Sequence, residues 1–408
     1  MRLLVVAPTC DGTDVGEAWV AYQWASRLAA RHQVTLLTYY KRGRPPARQQ
    51  LGDIARVIEW PELPVVGRAE RLNSMLKPSY VPFYWRARRW IQRALAGGER
   101  FDVVHQPLPV AMRYPSPATG LGIPLVFGPV GGGLASPAPF RTQEQDTTPW
   151  FVGLRQLDRL RLRHDPLLRR TYRLADCVLG IAPYVAAALG DLRPRRLEFI
   201  SETALERAPD PVIRTPGDGV LRLLFVGRIV RTKGVRDLIG ALHHVRDLPL
   251  TVDIVGDGPD RAACEAAAGR LGVSDRVMFH GRVPHDEVWS FYQRADIFTF
   301  PSYREPGGNA VFEAMGSSLP LIVCDRGGPA AAVDDSCAIR LPASTPAQLE
   351  RDLATAIRTL AGDPARRLTM GACARDRLLR VGLWDSKIEW AERLYQELAP
   401  GDAAGGDR

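Results

Sequence analysis

Residues 303–315, with the sequence YREPGGNAVFEAM, contain the pattern from which the fold of this chain is inferred. Two carboxylates, Glu305 and Glu313, are separated by seven residues that include a Gly-Gly-Asn turn. An apolar helical pattern follows the turn, and the run ADIFTF at 295–300 before it is typical of a buried strand. The stretch therefore predicts a strand, a loop and a helix N-terminus at the carboxyl edge of a parallel sheet, where open α/β sheets bind ligands.

The start of this predicted helix is suited to ligands rich in oxygen. The backbone N–H groups of Gly308, Asn309 and Ala310 are expected to point at whatever lies in front of the helix, and the helix dipole attracts negative charge. Glu305 and Glu313 can accept hydrogen bonds from hydroxyl groups. A nucleotide sugar, which carries phosphate and hydroxyl groups, would satisfy the whole set. Glutamates near a helix N-terminus are also common for dipole reasons alone, so the pair needs support from the rest of the chain.

A second strand–loop–helix unit precedes this stretch. The apolar run LRLLFV at 221–226 predicts a buried strand, and Arg228 follows it directly after a glycine. Lys233 stands just before a helix predicted over 235–245. Both cations are therefore expected at the carboxyl edge of the sheet, where a guanidinium fork and an ammonium group suit a diphosphate. Solvated surface charges are the alternative for both residues.

Two further predicted strands end at the same edge of the sheet. A strand over 251–255 is followed by Gly256, and a short strand over 276–280 ends just before Arg282 and Val283. The tip of the second strand is a place where a nucleotide base could lie against the backbone. An ordinary turn glycine is the alternative for Gly256.

Together these motifs resemble the retaining glycosyltransferases of family 4, which have the GT-B fold. The motifs follow the family's order over nearly all of 205–400. They are Gly227-Arg228 with Lys233-Gly234, Val255 through Pro259, Phe279 through Val283, Asp296 through Ser302, Glu305 through Met315, and Gly327 through Ala330. The resemblance implies an α/β fold of two Rossmann-like domains whose parallel sheets face a central cleft.

The resemblance also implies roles for individual residues. Arg228 and Lys233 would bind the donor diphosphate and stabilise the leaving charge, Glu305 would hold hydroxyls of the transferred sugar, and Glu313 would hold the ribose. The expected catalytic residues are Arg228, Lys233, Glu305 and His105. The expected donor-binding residues are Gly16, Arg228, Lys233, Gly256, Arg282, Val283, Glu305, Gly307, Gly308, Asn309, Ala310 and Glu313. No metal ligand and no resident cofactor is expected, and the nucleotide sugar is a co-substrate.

The pattern in the first half of the chain predicts a second Rossmann-like unit. This half matches the family more loosely than the second half does. A strand over 1–7 and a helix over about 17–30 open a βαβ pattern, and Gly16 is the best match to the family's glycine-rich loop near the donor phosphate. His105 ends a predicted strand, where a catalytic and a structural role are both open. Many family members carry a histidine after the next strand, whereas this chain has Gly-Pro at 128–129, which argues against histidine-based acceptor activation.

A chain of 408 residues is long enough for two domains. An N-terminal acceptor-binding domain is expected over 1–204 and a C-terminal nucleotide-sugar-binding domain over 205–385. A helix that returns to the N-terminal domain, with a disordered tail, is expected over 386–408. Prolines and glycines interrupt any regular pattern over 202–219, which places the domain boundary there.

The net charge of +9 favours anionic partners. Two basic, aromatic or leucine-rich segments, 82–93 and 154–173, could each form an amphipathic helix on an anionic membrane surface, or a solvated helix packed on the sheet. Nucleic acid is not expected, because the charge is spread over both halves and no recognised nucleic-acid-binding motif occurs. With no apolar run long enough to span a bilayer and six scattered cysteines, a cytoplasmic location is expected, and the inner face of the membrane is the alternative.

The resemblance thus implies transfer of a sugar from a UDP- or GDP-linked donor to an acceptor hydroxyl, with retained configuration, in surface-polysaccharide or other glycoconjugate synthesis. A small natural-product acceptor such as an aminocyclitol is the alternative for the acceptor. A non-catalytic nucleotide-sugar-binding subunit is the alternative from another class. The presence of Arg228, Lys233, Glu305 and Glu313 together favours an active enzyme.

Overall fold

The computed structural model describes residues 1–62, 77–144, 156–212 and 219–399. Within these ranges the chain forms two compact units. The described residues of the first unit fall within Met1–Gly133, Leu154–Glu202 and Lys387–Arg408, and those of the second within Leu134–Gly153 and Thr203–Ser386. Each unit is an α/β structure built on one parallel sheet, as predicted.

The described residues of the first unit form a sheet of seven parallel strands. In chain order the strands are β1 (Arg2–Thr9), β2 (Gln33–Tyr40), β3 (Ala55–Pro61), β4 (Val103–Gln106), β5 (Leu125–Val130), β6 (Cys177–Gly180) and β7 (Leu197–Phe199). Their order across the sheet is β3-β2-β1-β4-β5-β6-β7. Six consecutive residues of β1 and of β2 are buried, because a parallel sheet is covered on both faces.

Helices cover the sheet of the first unit. They are Glu17–Ala29, Ala47–Leu51, Tyr80–Ala96, Gln156–His164, Pro166–Leu174 and Tyr184–Leu189, with a 3₁₀ turn at Gly52–Ile54. The last helix of the chain, Trp384–Leu398, contributes its residues from Lys387 onwards to this unit.

The predicted basic helix over 154–173 is instead two helices that meet at Asp165, and residues 154 and 155 lie outside the described ranges. The Asp165 carboxylate accepts hydrogen bonds from the N–H groups of Leu167 and Leu168, at 3.0 and 3.1 Å. Pro166 has no N–H group to continue the first helix, but it fits the first position of a new one. An N-cap aspartate followed by proline therefore divides the segment.

The described residues of the second unit form a sheet of six parallel strands. The strands are β8 (Leu221–Val226), β9 (Leu250–Val255), β10 (Val277–Gly281), β11 (Ile297–Phe300), β12 (Leu321–Cys324) and β13 (Ala338–Leu341). Their order is β10-β9-β8-β11-β12-β13, so the direction of winding reverses between β8 and β11. A single apolar core of buried side chains surrounds this sheet.

The helices of the second unit agree with the predicted alternation of strand and helix. They are Ala138–Arg141, Val235–His244, Arg261–Leu271, His285–Arg294, Asn309–Gly316, Gly327–Ala332, Pro346–Ala361 and Pro364–Val381, with 3₁₀ turns at Arg231–Lys233 and Ser274–Arg276. In the parts of the chain that the structure describes, no helix is both long and apolar enough to cross a membrane.

The unit boundaries differ from the predicted domain ranges in one segment. The chain passes from the first unit to the second after Glu202 and back after Ser386, close to the expected positions 204 and 385. The described residues 134–144, however, belong to the second unit, although the predicted N-terminal domain included them. They contact the loop that carries Glu305. The substrate assigned to each domain stays a prediction, and the expected tail after residue 399 lies outside the described ranges.

Candidate functional site

Lys233 and Glu305 lie together at the point where the sheet of the second unit reverses its winding. Strands β8 and β11 are parallel neighbours, so their carboxyl ends open on the same edge of the sheet. Lys233 follows β8 in the 3₁₀ turn, and Glu305 follows β11 by five residues. The Lys233 ammonium and the Glu305 carboxylate form an ion pair there. Two residues predicted from separate motifs are thus in contact.

The turn that carries Lys233 is packed tightly on the loop after β11. Gly234 has a φ of 74°, and a Cβ atom added to it would lie 2.2 Å from the carbonyl oxygen of Pro301, so only glycine fits. The Ser302 hydroxyl donates a hydrogen bond to the carbonyl of Thr232 at 3.1 Å. The backbone of the two loops is therefore locked together beside the ion pair.

A second glycine pair holds the loop of Glu305 from the other side. The Gly328 N–H group donates to the Glu305 carbonyl at 3.0 Å. Cβ atoms added to Gly327 and Gly328 would lie 2.1 and 2.0 Å from the carbonyl oxygens of Glu305 and Gly307. The Gly-Gly-Pro-Ala motif after β12 is thus explained by close backbone contact with this loop.

The surroundings of Lys233 act on its pKa in opposite directions. Burial and the nearby Arg228 guanidinium lower the pKa of Lys233 to about 8. The Glu305 carboxylate in contact with it favours the charged ammonium. Arg228 itself is exposed at the end of β8. Two cations at one sheet edge, one shielded and one facing solvent, form an arrangement that can bind the oxygens of a diphosphate.

The helix Asn309–Gly316 begins at the same edge. Gly308 occupies its N-cap position, and no side chain in the described ranges caps it there. The carboxylate of Glu313, in the second turn, accepts a hydrogen bond from the Tyr292 hydroxyl at 2.7 Å. Tyr292 was not predicted as a site residue, because it lies in the preceding helix and no motif links it to Glu313. The contact fixes the carboxylate that was predicted to hold the ribose.

The turns after β8, β9 and β10 are in contact with each other. The Gly256 N–H group donates to the Gly281 carbonyl at 2.8 Å, and a Cβ atom on Gly256 would lie 2.0 Å from the Gly227 carbonyl oxygen. Arg282 is exposed beyond β10 and Val283 is half-buried. The donor-binding residues predicted in the second unit thus all follow strand ends on one edge of its sheet.

The other two predicted residues, Gly16 and His105, belong to the first unit. Gly16, with a φ of 69°, is the N-cap of the helix Glu17–Ala29. His105 is buried, with Nε2 at 2.7 Å from the Gly128 carbonyl and Nδ1 at 2.6 Å from the Tyr395 hydroxyl. Since a carbonyl only accepts, Nε2 donates and Nδ1 accepts.

This arrangement suits a neutral imidazole, and burial lowers the pKa of His105 to about 4. Both ring nitrogens of His105 are engaged inside the first unit, as the contacts with Gly128 and Tyr395 show. These contacts suit a structural role for His105, which lies within β4, a strand buried along its whole length. The catalytic role of His105 stays a prediction.

In the described ranges, no three His, Cys, Asp or Glu side chains are grouped as a metal site would require. The cysteines are all free, and five of the six are buried. The site in the second unit consists instead of two cations, two carboxylates and a helix N-terminus. This set can bind phosphate and hydroxyl groups.

Two family models match the chain, one over each half. The glycosyl transferase 4-like domain matches residues 15–202, and glycosyl transferases group 1 matches residues 213–377. The lipopolysaccharide core biosynthesis glycosyltransferase LpsD of Rhizobium meliloti strain 1021 is 32% identical over 54% of this chain and 65% of its own length. The 2-deoxystreptamine glucosyltransferase of Streptomyces kanamyceticus is 31% identical over 48% of this chain and 53% of its own.

The chain spans between half and two thirds of the length of these two relatives. Solved structures of similar fold, in contrast, match almost the whole of this chain. The structure of Anabaena HepE in complex with UDP has a TM-score of 0.62, with 16% identity, over 97% of this chain and 100% of that one. At this identity the similarity concerns the fold alone. With both family models matched, the chain belongs to the group 1 glycosyltransferases, the family 4 type that has the GT-B fold.

Proposed function

We propose that this chain transfers a sugar from a nucleotide diphosphate sugar to an acceptor hydroxyl, with retention of the anomeric configuration. The observation that carries the proposal is the contact between Lys233 and Glu305 at the topological switch point of the second unit. A cation for the phosphate and a carboxylate for the sugar are thus adjacent where parallel sheets bind ligands. The structure of HepE with UDP adds support from the same fold.

In this proposal the second unit stabilises the leaving group. Breaking the bond between sugar and phosphate builds negative charge on the departing diphosphate, and preorganised donors aimed at that charge lower the barrier. Arg228, Lys233 and the amides from Gly308 to Ala310 would supply those donors. Glu305 would accept hydrogen bonds from sugar hydroxyls, and Glu313 from the ribose. The nucleotide sugar is a co-substrate, and the proposal needs no resident cofactor or metal.

Retention is proposed to follow from attack on the same face of the sugar that the diphosphate leaves. The leaving phosphate would take the acceptor proton, which needs no protein base such as His105. A double displacement would need a carboxylate nucleophile beside the anomeric carbon. Once an acceptor is found, NMR spectroscopy measures the anomeric configuration of the product. Retention is expected, and an inverted product would overturn the stereochemical proposal.

The donor site is tested by calorimetric titration with UDP, GDP, ADP and dTDP. One nucleotide, with UDP or GDP expected, should bind to the wild type, and binding should weaken strongly in Arg228→Ala. Arg270→Ala, which removes an exposed arginine from the helix Arg261–Leu271, is the matched control and should bind as the wild type does. If folded wild-type protein binds none of the four nucleotides, the donor proposal fails.

Two acceptor classes follow from the relatives. One relative is described as acting in lipopolysaccharide core biosynthesis and the other on 2-deoxystreptamine, an aminocyclitol. We propose a glycan acceptor in surface-polysaccharide or glycoconjugate synthesis as the first candidate, because the first relative matches a larger share of both chains. A small aminocyclitol is the second. Screening both classes with the donor named by calorimetry distinguishes them by which one yields a glycosylated product.

We also propose peripheral contact between the first unit and an anionic membrane. The helix Tyr80–Ala96 presents Val81 and Trp85 to solvent, with exposed fractions of 63% and 46%, and Arg89 and Arg93 follow them at helical spacing. Further along the chain, Leu160 and Leu167 are exposed among arginines. Apolar side chains with basic neighbours suit the boundary of an anionic bilayer.

Vesicle sedimentation tests this contact. Wild-type protein should sediment with vesicles of phosphatidylcholine and phosphatidylglycerol, should do so less at high salt, and should not sediment with phosphatidylcholine alone. Trp85→Ala should weaken the binding several-fold. Leu368→Ala, which removes an exposed apolar side chain from the second unit, should leave the binding unchanged. Equal sedimentation of wild type and Trp85→Ala would contradict the proposed surface.

A further inference from the structure

The segment Leu134–Glu144 follows β5 in the chain but is part of the second unit. It contains the short helix Ala138–Arg141. The Phe140 side chain belongs to the core of the second unit and lies against Tyr303, with 4.2 Å between the ring centroids. Tyr303 precedes Glu305 by two residues. The segment therefore reaches the loop on which the proposed sugar contact depends.

Arg304, the residue directly before Glu305, is held by this segment through two hydrogen bonds. Its guanidinium donates to Glu144 Oε2 at 3.0 Å and to Ser136 Oγ at 3.2 Å. Glu144 is buried, with 7% of its surface exposed, and Arg304 is mostly shielded. A partly buried pair with two acceptors holds its geometry better than an exposed pair does. The backbone on the N-terminal side of Glu305 is thereby anchored.

The same segment also anchors the turn of Lys233. Gln143 Oε1 accepts hydrogen bonds from Arg231 Nε and from its terminal nitrogen, at 2.9 and 2.6 Å. Arg231 is fully buried and precedes Lys233 by two residues. The third anchor is Arg326, which donates to the carbonyl of Ala135 at 2.7 Å and to that of Tyr303 at 3.0 Å.

Each anchored arginine is thus close in sequence to the ion pair or to the glycines packed against it. Arg231 begins the turn of Lys233, Arg304 adjoins Glu305, and Arg326 adjoins the glycine pair that packs on Glu305. We infer that the segment Leu134–Glu144 positions the Lys233 and Glu305 side chains for the donor sugar, with Glu144 as the main positioning residue. The inference rests on the proposed function, because it assigns the segment to the donor that this function requires.

Positioning predicts a specific pattern in donor affinity. In Glu144→Ala the Arg304 anchor is lost, so Glu305 should no longer be held where sugar hydroxyls need it. The affinity for the nucleotide sugar should fall on the order of tenfold, whereas the affinity for the matching nucleoside diphosphate should stay within about twofold. Glu144→Gln retains an oxygen acceptor for Arg304 and should restore most of the nucleotide-sugar affinity. Thr142→Ala, in the same turn and exposed, is the matched control.

Calorimetry with both ligands, together with thermal unfolding of each variant, distinguishes the outcomes. If the wild type binds neither ligand, the proposed function fails, whatever the variants do. If the wild type binds both and Glu144→Ala retains the full preference for the nucleotide sugar, the positioning inference fails while the proposed function stands. Equal losses for both ligands would indicate a general structural role for Glu144 and would also overturn the inference. Should Glu144→Ala not fold, Ser136→Ala removes the other acceptor of Arg304 and provides the same comparison on the side of Glu305.

Discussion

Replacing Lys233 by alanine is expected to lower the rate of sugar transfer by about two to three orders of magnitude, the effect of removing one preorganised donor to a developing charge. The reason is that Lys233 is the shielded cation of the site and contacts Glu305, the proposed sugar ligand. Release of the nucleotide diphosphate from the donor measures the rate. Arg351→Ala, an exposed cation on the helix Pro346–Ala361, should retain the wild-type rate. A Lys233→Ala rate within about threefold of wild type would contradict the assignment.

The same residue predicts how nucleotide binding depends on pH. A phosphate ligand binds the charged ammonium, and burial together with Arg228 lowers the pKa of Lys233 to about 8. Charge on Lys233 is therefore present below that pH and is lost above it, so wild-type affinity should decline as the pH rises from about 7 to about 9. In Lys233→Ala, calorimetry over the same range should show a weak affinity that depends little on pH.

Replacing Asp237 by alanine should destabilise the protein by about 3–5 kcal/mol, the usual effect of removing one partner from a buried ion pair. Arg231 and Asp237 are 2% and 1% exposed, and two hydrogen bonds join them, at 2.5 and 2.9 Å. Without Asp237, the Arg231 guanidinium stays buried with only neutral acceptors such as Gln143. Urea unfolding followed by circular dichroism measures the loss.

An exposed ion pair on the same unit provides the control for this prediction. Asp247 pairs with Arg358 at the surface, where solvent screens the charges, so Asp247→Ala should unfold at nearly the wild-type urea concentration. A second variant, Asp237→Ala with Arg231→Met, removes the buried charge altogether and should be more stable than Asp237→Ala alone. A wild-type urea midpoint for Asp237→Ala would show that the pair contributes little.

The architecture could be predicted because apolar runs and glycine turns alternate regularly along the chain. The run over 221–226 coincides with β8, and the predicted strand over 251–255 lies within β9. Most residues of each strand are apolar, as is typical of a strand covered on both faces. The glycine that follows each strand marks its end, since the backbone turns sharply there. Within 154–173, Asp165 and Pro166 break the helical pattern, so the structure has two helices there instead of one.

The juxtaposition of Lys233 and Glu305 could be predicted in outline for a topological reason. Residues that follow parallel strands meet at one edge, and neighbouring strands at a switch point bring their loops into contact. The role of His105 could not be deduced in this way, because its partner Tyr395 lies 290 residues away in sequence. Whether a strand-end histidine faces solvent or core depends on such a distant partner.

The contacts of Leu134–Glu144 had no sequence signal either. The segment is rich in proline and alanine and lacks a period that would mark a buried face, so Phe140 could not be recognised as a core residue. Gln143 and Glu144 are paired with arginines that stand 88 and 160 residues later. Such side-chain pairs depend on how the loops are folded and not on any local pattern.

The last helix of the chain has a consequence for the order in which the protein is completed during synthesis. Strands β1 to β7 all precede residue 200, yet Ile388, Leu394 and Tyr395 fill the core of the first unit. A ribosome delivers the chain from its N-terminus, so this core stays uncovered until those side chains emerge. The second unit has all its residues once Ser386 is made. The half of the protein that is translated first therefore receives its last core side chains only after the other half has been made.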